Sequence, residues 1–115
     1  MPEPHVFDAA STAWSGDSRY NGIFIKILET RANHAAASIV LMMIGVNRTE
    51  PTHTHDVETE TAFVQAGQGS ASFGDEVVKL RPGMGVTIPA GIAHNLANEG
   101  DIPLELIVIH SPPVR

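Results

Sequence analysis

No cysteine occurs in the 115 residues, which excludes disulfides, thiolate metal ligands and cysteine nucleophiles and fits a reducing compartment. Any metal would have to be held by nitrogen and oxygen. Basic residues are scarce as well: seven Lys and Arg stand against thirteen Asp and Glu, for a formal net charge of -6. Without a basic cluster, phosphate backbones and anionic membrane surfaces are poor partners, so neither nucleic-acid nor membrane binding is expected. Long apolar runs are missing too. The longest, "IVLMMIGV" at residues 39–46, falls far short of the ~20 residues needed to cross a bilayer and reads as a buried strand. The opening "MPEPHVFDAA" has no positive segment followed by an apolar one, so no secretory signal is evident and a cytoplasmic location is expected. No internal repeat, Ser-His-Asp grouping or phosphate-cradling glycine loop is present.

A chain of this length is expected to form one domain that buries roughly two thirds of its unfolded surface. Turn residues punctuate it at short intervals: Gly67 and Gly69, Gly74-Asp75, Pro82-Gly83, Pro89 to Gly91, and Asn98 to Asp101. Strand-length segments fill the gaps, namely "TAFVQA" (61–66), "SASF" (70–73), "EVVKL" (76–80), "MGVTIP" (84–89), "HNLAN" (94–98) and "LELIVIH" (104–110). Many short strands separated by Gly and Pro turns predict an all-β sandwich or barrel with little helix. Upstream, "GIFIKILE" (22–29) sets Ile23, Ile25 and Ile27 on one strand face and Phe24 and Leu28 around Lys26 on the other. Both faces are largely apolar, which suits either core packing or a strand covered by the domain on one side and a second subunit on the other.

Chemistry concentrates in "PTHTHDVETE", residues 51–60. On a strand, positions two apart share a face, so the alternating "THTH" pairs His53 with His55. Glu60 has the opposite parity and joins them only across a turn, which Asp56 can supply. Glu58 has the same parity as Glu60, so alternation leaves both open. Taken alone, the stretch could equally be a solvated edge strand.

The second half, "GMGVTIPAGIAHNLAN" (83–98), reads Gly83-x5-Pro89-x-Gly91-x2-His94-x3-Asn98, and the first reads His53-x-His55-x4-Glu60-x6-Gly67. Together they resemble the two motifs of the cupin superfamily, in the manner of a small single-domain cupin. The resemblance covers about residues 38–111. It implies a double-stranded β-helix, or jelly-roll, barrel over 38–111, preceded by an extension at 1–37 that adds strands and could sit at a dimer interface, and followed by a tail at 112–115. It further implies that His53, His55, Glu60 and His94 converge on one divalent metal, the Gly67 spacing selecting Glu60 over Glu58. One position departs from the family pattern: Asn47 stands where a Gly usually lies six residues before the first histidine. Asn is the next most tolerant residue for a left-handed turn.

Three imidazoles and one carboxylate suit Fe, Mn, Ni, Cu or Zn and are poor for calcium or magnesium. Gly83, Pro89, Gly91 and Asn98 read as turn geometry. His5 and His34 are expected to be solvated, and His110, at a strand end, to be exposed. Arg48 and Gln65 receive no role. The leading functional expectation is a mononuclear metalloenzyme acting on a small molecule, with oxygenase or dioxygenase chemistry favoured. The alternatives are an oxygen-independent isomerase, epimerase or lyase on a sugar or keto acid, for which the sequence nominates no general base, and a non-catalytic metal- or ligand-binding module. The two-sided apolar strand and the family's habit of pairing barrels favour a homodimer.

Overall fold

Short strands broken by Gly and Pro turns fold the chain into two facing sheets. The computed structural model describes residues 3–17 and 19–115. Its strands are β1 (Ser15–Gly16), β2 (Ile23–Glu29), β3 (Ser38–Ile44), β4 (Thr59–Ala66), β5 (Gly69–Phe73), β6 (Glu76–Leu80), β7 (Gly85–Ile88), β8 (His94–Asn98) and β9 (Leu104–Ser111). The six segments expected as strands after residue 60 correspond to β4 through β9. The helical content described is a single 3-10 turn, Ala9–Ser11, capped by the Asp8 carboxylate, and no helix among the described residues is long and apolar enough to cross a membrane.

One sheet has six strands in the order β1-β2-β3-β9-β4-β7 and the other three in the order β6-β5-β8. Every pairing between these strands is antiparallel. The fold is the expected all-β jelly roll, with β1 and β2 extending the larger sheet. Between the sheets lies a core that includes Ile23, Val40, Ile44, Val64, Leu96, Leu104, Leu106 and Val108. Burying each such side chain contributes about 1.5–3 kcal/mol. The turn from β4 to β5 depends on Gly67: φ is +83°, and a Cβ there would stand 2.6 Å from the Pro103 carbonyl oxygen, so only glycine fits. Asn47 has a φ of 62°, the left-handed conformation that its place in the motif implies.

Simple alternation fails in β2. Ile27, expected to share a face with Ile23 and Ile25, is 48% exposed, while Leu28 and Glu29 are buried. The pairing register with β3 shifts between Ile27 and Glu29, and the extra residue of a β-bulge reverses the parity beyond it. His5 is exposed, as expected, and donates from Nδ1 to Glu29 Oε2 at 2.7 Å.

Candidate metal centre

Backbone pairing brings the two histidine-bearing stretches together before any side chain is considered. His53 and His94 exchange both hydrogen bonds of an antiparallel bridge, at 3.0 and 2.9 Å, and the Gly91 N–H donates to the His55 carbonyl at 2.8 Å. The Pro89-x-Gly91 bend, with Gly91 at φ +86°, thereby returns the chain toward His55. Glu60 arrives from β4, opposite Ile88 of β7 on one side and His110 of β9 on the other. It has the inward parity of Ala62 and Val64, whereas Phe63 and Gln65 face out.

As a result His53, His55, Glu60 and His94 each offer one ligand atom within 4.8 Å of all the others, and this group could hold a metal ion. Glu58 stays outside it, its carboxylate 3.8 Å from His55 Nδ1. Asp56 is exposed in the turn. Asn98 is structural, as its spacing suggested: its side-chain amide donates to the carbonyls of Ile44 and Ile102. Arg48 and His34 are exposed.

The donor chemistry fits a metal. His53 Nδ1 lies 2.9 Å from the Pro51 carbonyl and His94 Nδ1 2.8 Å from the Ile92 carbonyl. A carbonyl oxygen only accepts, so in both rings Nδ1 carries the hydrogen and Nε2 is left with a free lone pair. His55 Nε2, His94 Nε2 and Glu60 Oε2 are buried without a well-aligned hydrogen-bond partner among the described residues. Buried polar atoms are costly to leave unpaired, and three of them at one point are what a divalent ion would satisfy.

Glu60 is the electrostatic centre. Burial alone would raise its pKa, but the hydrogen bond from His110 Nε2 at 2.9 Å holds the carboxyl well below the usual range. Burial lowers the pKa of His53, which keeps it neutral. His110 requires a correction: expected to be exposed, it is buried and donates to Glu60 Oε1. Parity carried the signal, because His110 continues the inward row Leu104, Leu106, Val108.

A second residue escaped the sequence reading. Glu50 is 3% exposed, its N–H is held by the Leu96 carbonyl at 3.0 Å, and its Oε1 has no partner among the described residues. Burial, reinforced by the charge of Glu60, raises its pKa from the ordinary 4.5 to about 8. Glu50 shares with His53, His55 and His110 a narrow cavity of about 20 Å³, walled on its apolar side by Ile25, Val40 and Met42. Arg19 and Arg115 line it as well. A larger depression lined by Gln68, Pro82, Glu99 and Ile102 lies at the β4–β5 and β8–β9 turns, away from the histidines.

Residues 40–110 match the family model described as a cupin domain. The chain is 39% identical over 57 residues to the xanthan biosynthesis protein XanB of Xanthomonas campestris pv. campestris, a match covering 50% of this chain and 12% of that protein. It thus spans only a small part of that relative. An uncharacterized protein of Streptomyces coelicolor is 26% identical over 93 residues, 81% of this chain and 83% of that one. Among solved structures, KdgF from Halomonas sp. superposes with a TM-score of 0.83 at 19% identity, over 94% of each chain. A protein from Thermotoga maritima described as a predicted oxalate decarboxylase gives 0.84 at 18% identity, over 93% of this chain and 98% of that one. At such identities the likeness establishes the shared fold.

Proposed function

Because the chain belongs to the cupin domain family, we propose that it is a metal-dependent enzyme acting on a small molecule, with His53, His55, Glu60 and His94 holding one divalent transition metal ion. The observation that carries this reading is the convergence of four donors, three of which, His55, Glu60 and His94, keep a buried atom with no other well-aligned partner among the described residues. When bound, an ion such as Fe, Mn, Ni, Cu or Zn supplies Lewis-acid polarisation of a substrate oxygen. His110 fixes Glu60 by donating to Oε1, which leaves Oε2 for the site.

Glu50 supports proton-transfer chemistry over the oxygenase chemistry favoured from the ligand set alone. A buried carboxyl with one free oxygen, facing the same cavity and mostly protonated at neutral pH because its pKa is raised to about 8, can give a proton to bound substrate and take it back. It is the proton-transfer group that the oxygen-independent reading lacked. A module that only stored a metal would have no use for it. The reaction class is therefore isomerisation, epimerisation or lyase chemistry on a sugar or keto acid. The division into an extension at 1–37, a barrel at 38–111 and a tail at 112–115 belongs to the same proposal, with Arg19 and Arg115 reaching the cavity from either end of the chain.

Deuterium incorporation next to the carbonyl of keto acids and sugars, followed by NMR on the zinc-loaded chain without oxygen, tests the reading. Exchange that disappears in Glu50→Gln while metal content stays constant is the expected result. Turnover that requires oxygen and survives Glu50→Gln would establish the oxygenase instead. The outer face of the larger sheet, where Phe63 and Phe24 are 43% and 38% exposed, supports a homodimer. A monomer mass by light scattering contradicts that part.

A further inference from the structure

The cavity lined by three of the four candidate ligands, His53, His55 and Glu60, is also lined by two guanidinium groups, those of Arg19 and Arg115. Arg19 is held in place by Asp17: its backbone N–H and Nε both donate to Oδ1, at 2.9 and 3.2 Å, and Nη2 donates to Oδ2 at 3.2 Å. Its guanidinium also lies over the Tyr20 ring, 4.8 Å from the centroid, and that ring neighbours His53. Two of its five N–H groups are thus committed and the rest remain available. Arg115 differs. Its carbonyl accepts from the Arg31 N–H at 2.9 Å, which pins the backbone, yet its half-buried side chain makes no ion pair among the described residues. Burial, and then the positive charge of Arg19, depress its pKa. A half-buried cation facing a second cation is a charge waiting for an anion.

The acids in the cavity do not meet that demand. Asp17 is engaged by Arg19, Glu60 by the imidazoles, and burial holds Glu50 protonated at neutral pH. We propose that Arg115, assisted by Arg19, is the anion-recognition end of the site, and that the molecule handled there is a short-chain carboxylic acid. This rests on the functional reading above and narrows its substrate class from sugar or keto acid to the acid. The planar, forked guanidinium matches a carboxylate in two parallel hydrogen bonds. Ile25, Val40 and Met42 along one wall suit the short carbon chain of such an acid.

The test compares pyruvate with its neutral amide, pyruvamide, by calorimetric titration of the zinc-loaded and the metal-free full chain, with zinc content measured separately. Pyruvate should bind at least about tenfold more tightly than pyruvamide. Arg115→Gln should lower pyruvate affinity about tenfold or more with zinc content and pyruvamide binding unchanged, and Arg115→Lys should restore part of the loss. Arg19→Gln, at a more exposed position, should cost about threefold. Equal binding of pyruvate and pyruvamide, unchanged pyruvate binding in Arg115→Gln, or tighter binding of inorganic phosphate than of pyruvate overturns the proposal. A chain that takes up no zinc refutes the metal reading and leaves the charge test standing, because the same preference is then read on the metal-free chain. Absence of pyruvate binding in both forms also overturns the proposal.

Discussion

Along β9 the inward positions run Leu104, Leu106, Val108 and then His110, and along the antiparallel β4 they run from Glu60 to Ala62 and Val64. The same two strands therefore build a dry end, where Leu104, Leu106 and Val64 are fully buried, and a polar end, where Glu60 faces His110 at 2.9 Å. At the dry end every side chain is satisfied by contact with its neighbours. At the polar end Glu50, His55, Glu60, His94 and His110 each leave one buried nitrogen or oxygen without a partner among the described residues. A core selected only for stability would not keep such atoms. The contrast teaches that the fold rests on one half of the barrel interior while the other half carries unmet bonding capacity, which is where a ligand belongs.

That division can be broken at either end. The largest effect on metal should follow His94→Ala or His55→Ala: affinity for zinc falls roughly 100-fold or more, measured by competition with a chromophoric chelator. The β circular-dichroism spectrum should persist, because the apolar half does not depend on the ion. At the dry end Leu106→Ala should cost roughly 2–5 kcal/mol in urea unfolding of the metal-free chain, through lost burial and a residual cavity. The stoichiometry of metal binding should be unchanged as long as the variant folds. If Leu106→Ala removes the metal while His94→Ala does not, the two ends are not separable as described.

Glu50 sharpens the contrast through pH. Its folded-state pKa lies above its unfolded one, so the folded chain binds the extra proton between about 4.5 and 8. The metal-free protein should accordingly lose stability as pH rises through that window, by up to a few kcal/mol, and Glu50→Gln should flatten this dependence. Denaturant midpoints measured at pH 5 and pH 8 in both proteins decide it. Identical slopes in the two would remove Glu50 from the account. The smallest expected change is for His110→Ala. It withdraws the donor on Glu60 Oε1 without removing a ligand and should weaken metal binding about 10- to 100-fold, the range for partners that orient a ligand. Unaltered affinity would make His110 a packing residue.

Much of this was legible in the sequence, because strands write their burial as alternation and turns as Gly and Pro. The segments from "TAFVQA" to "LELIVIH" correspond to β4 through β9, and the spacing of His53, His55, Glu60 and His94 places them as the structure groups them. What escaped depends on geometry that local pattern does not encode. The β-bulge between Ile27 and Glu29 breaks the alternation there, leaving Leu28 and Glu29 both buried, and no residue type in "GIFIKILE" announces it. His110 is readable from its inward row, although a histidine at a strand end by itself suggests exposure. Glu50, Arg19 and Arg115 come from separate loops and termini, and only the closed barrel puts them on one cavity.

The most direct test of the central claim, that the polar end is a metal site, is elemental analysis of the chain purified from its native host and again after saturation with zinc. The account predicts about one divalent transition metal ion per chain, displaced by a strong chelator without loss of the β spectrum. A chain that carries no transition metal as isolated and takes up none on saturation would contradict it.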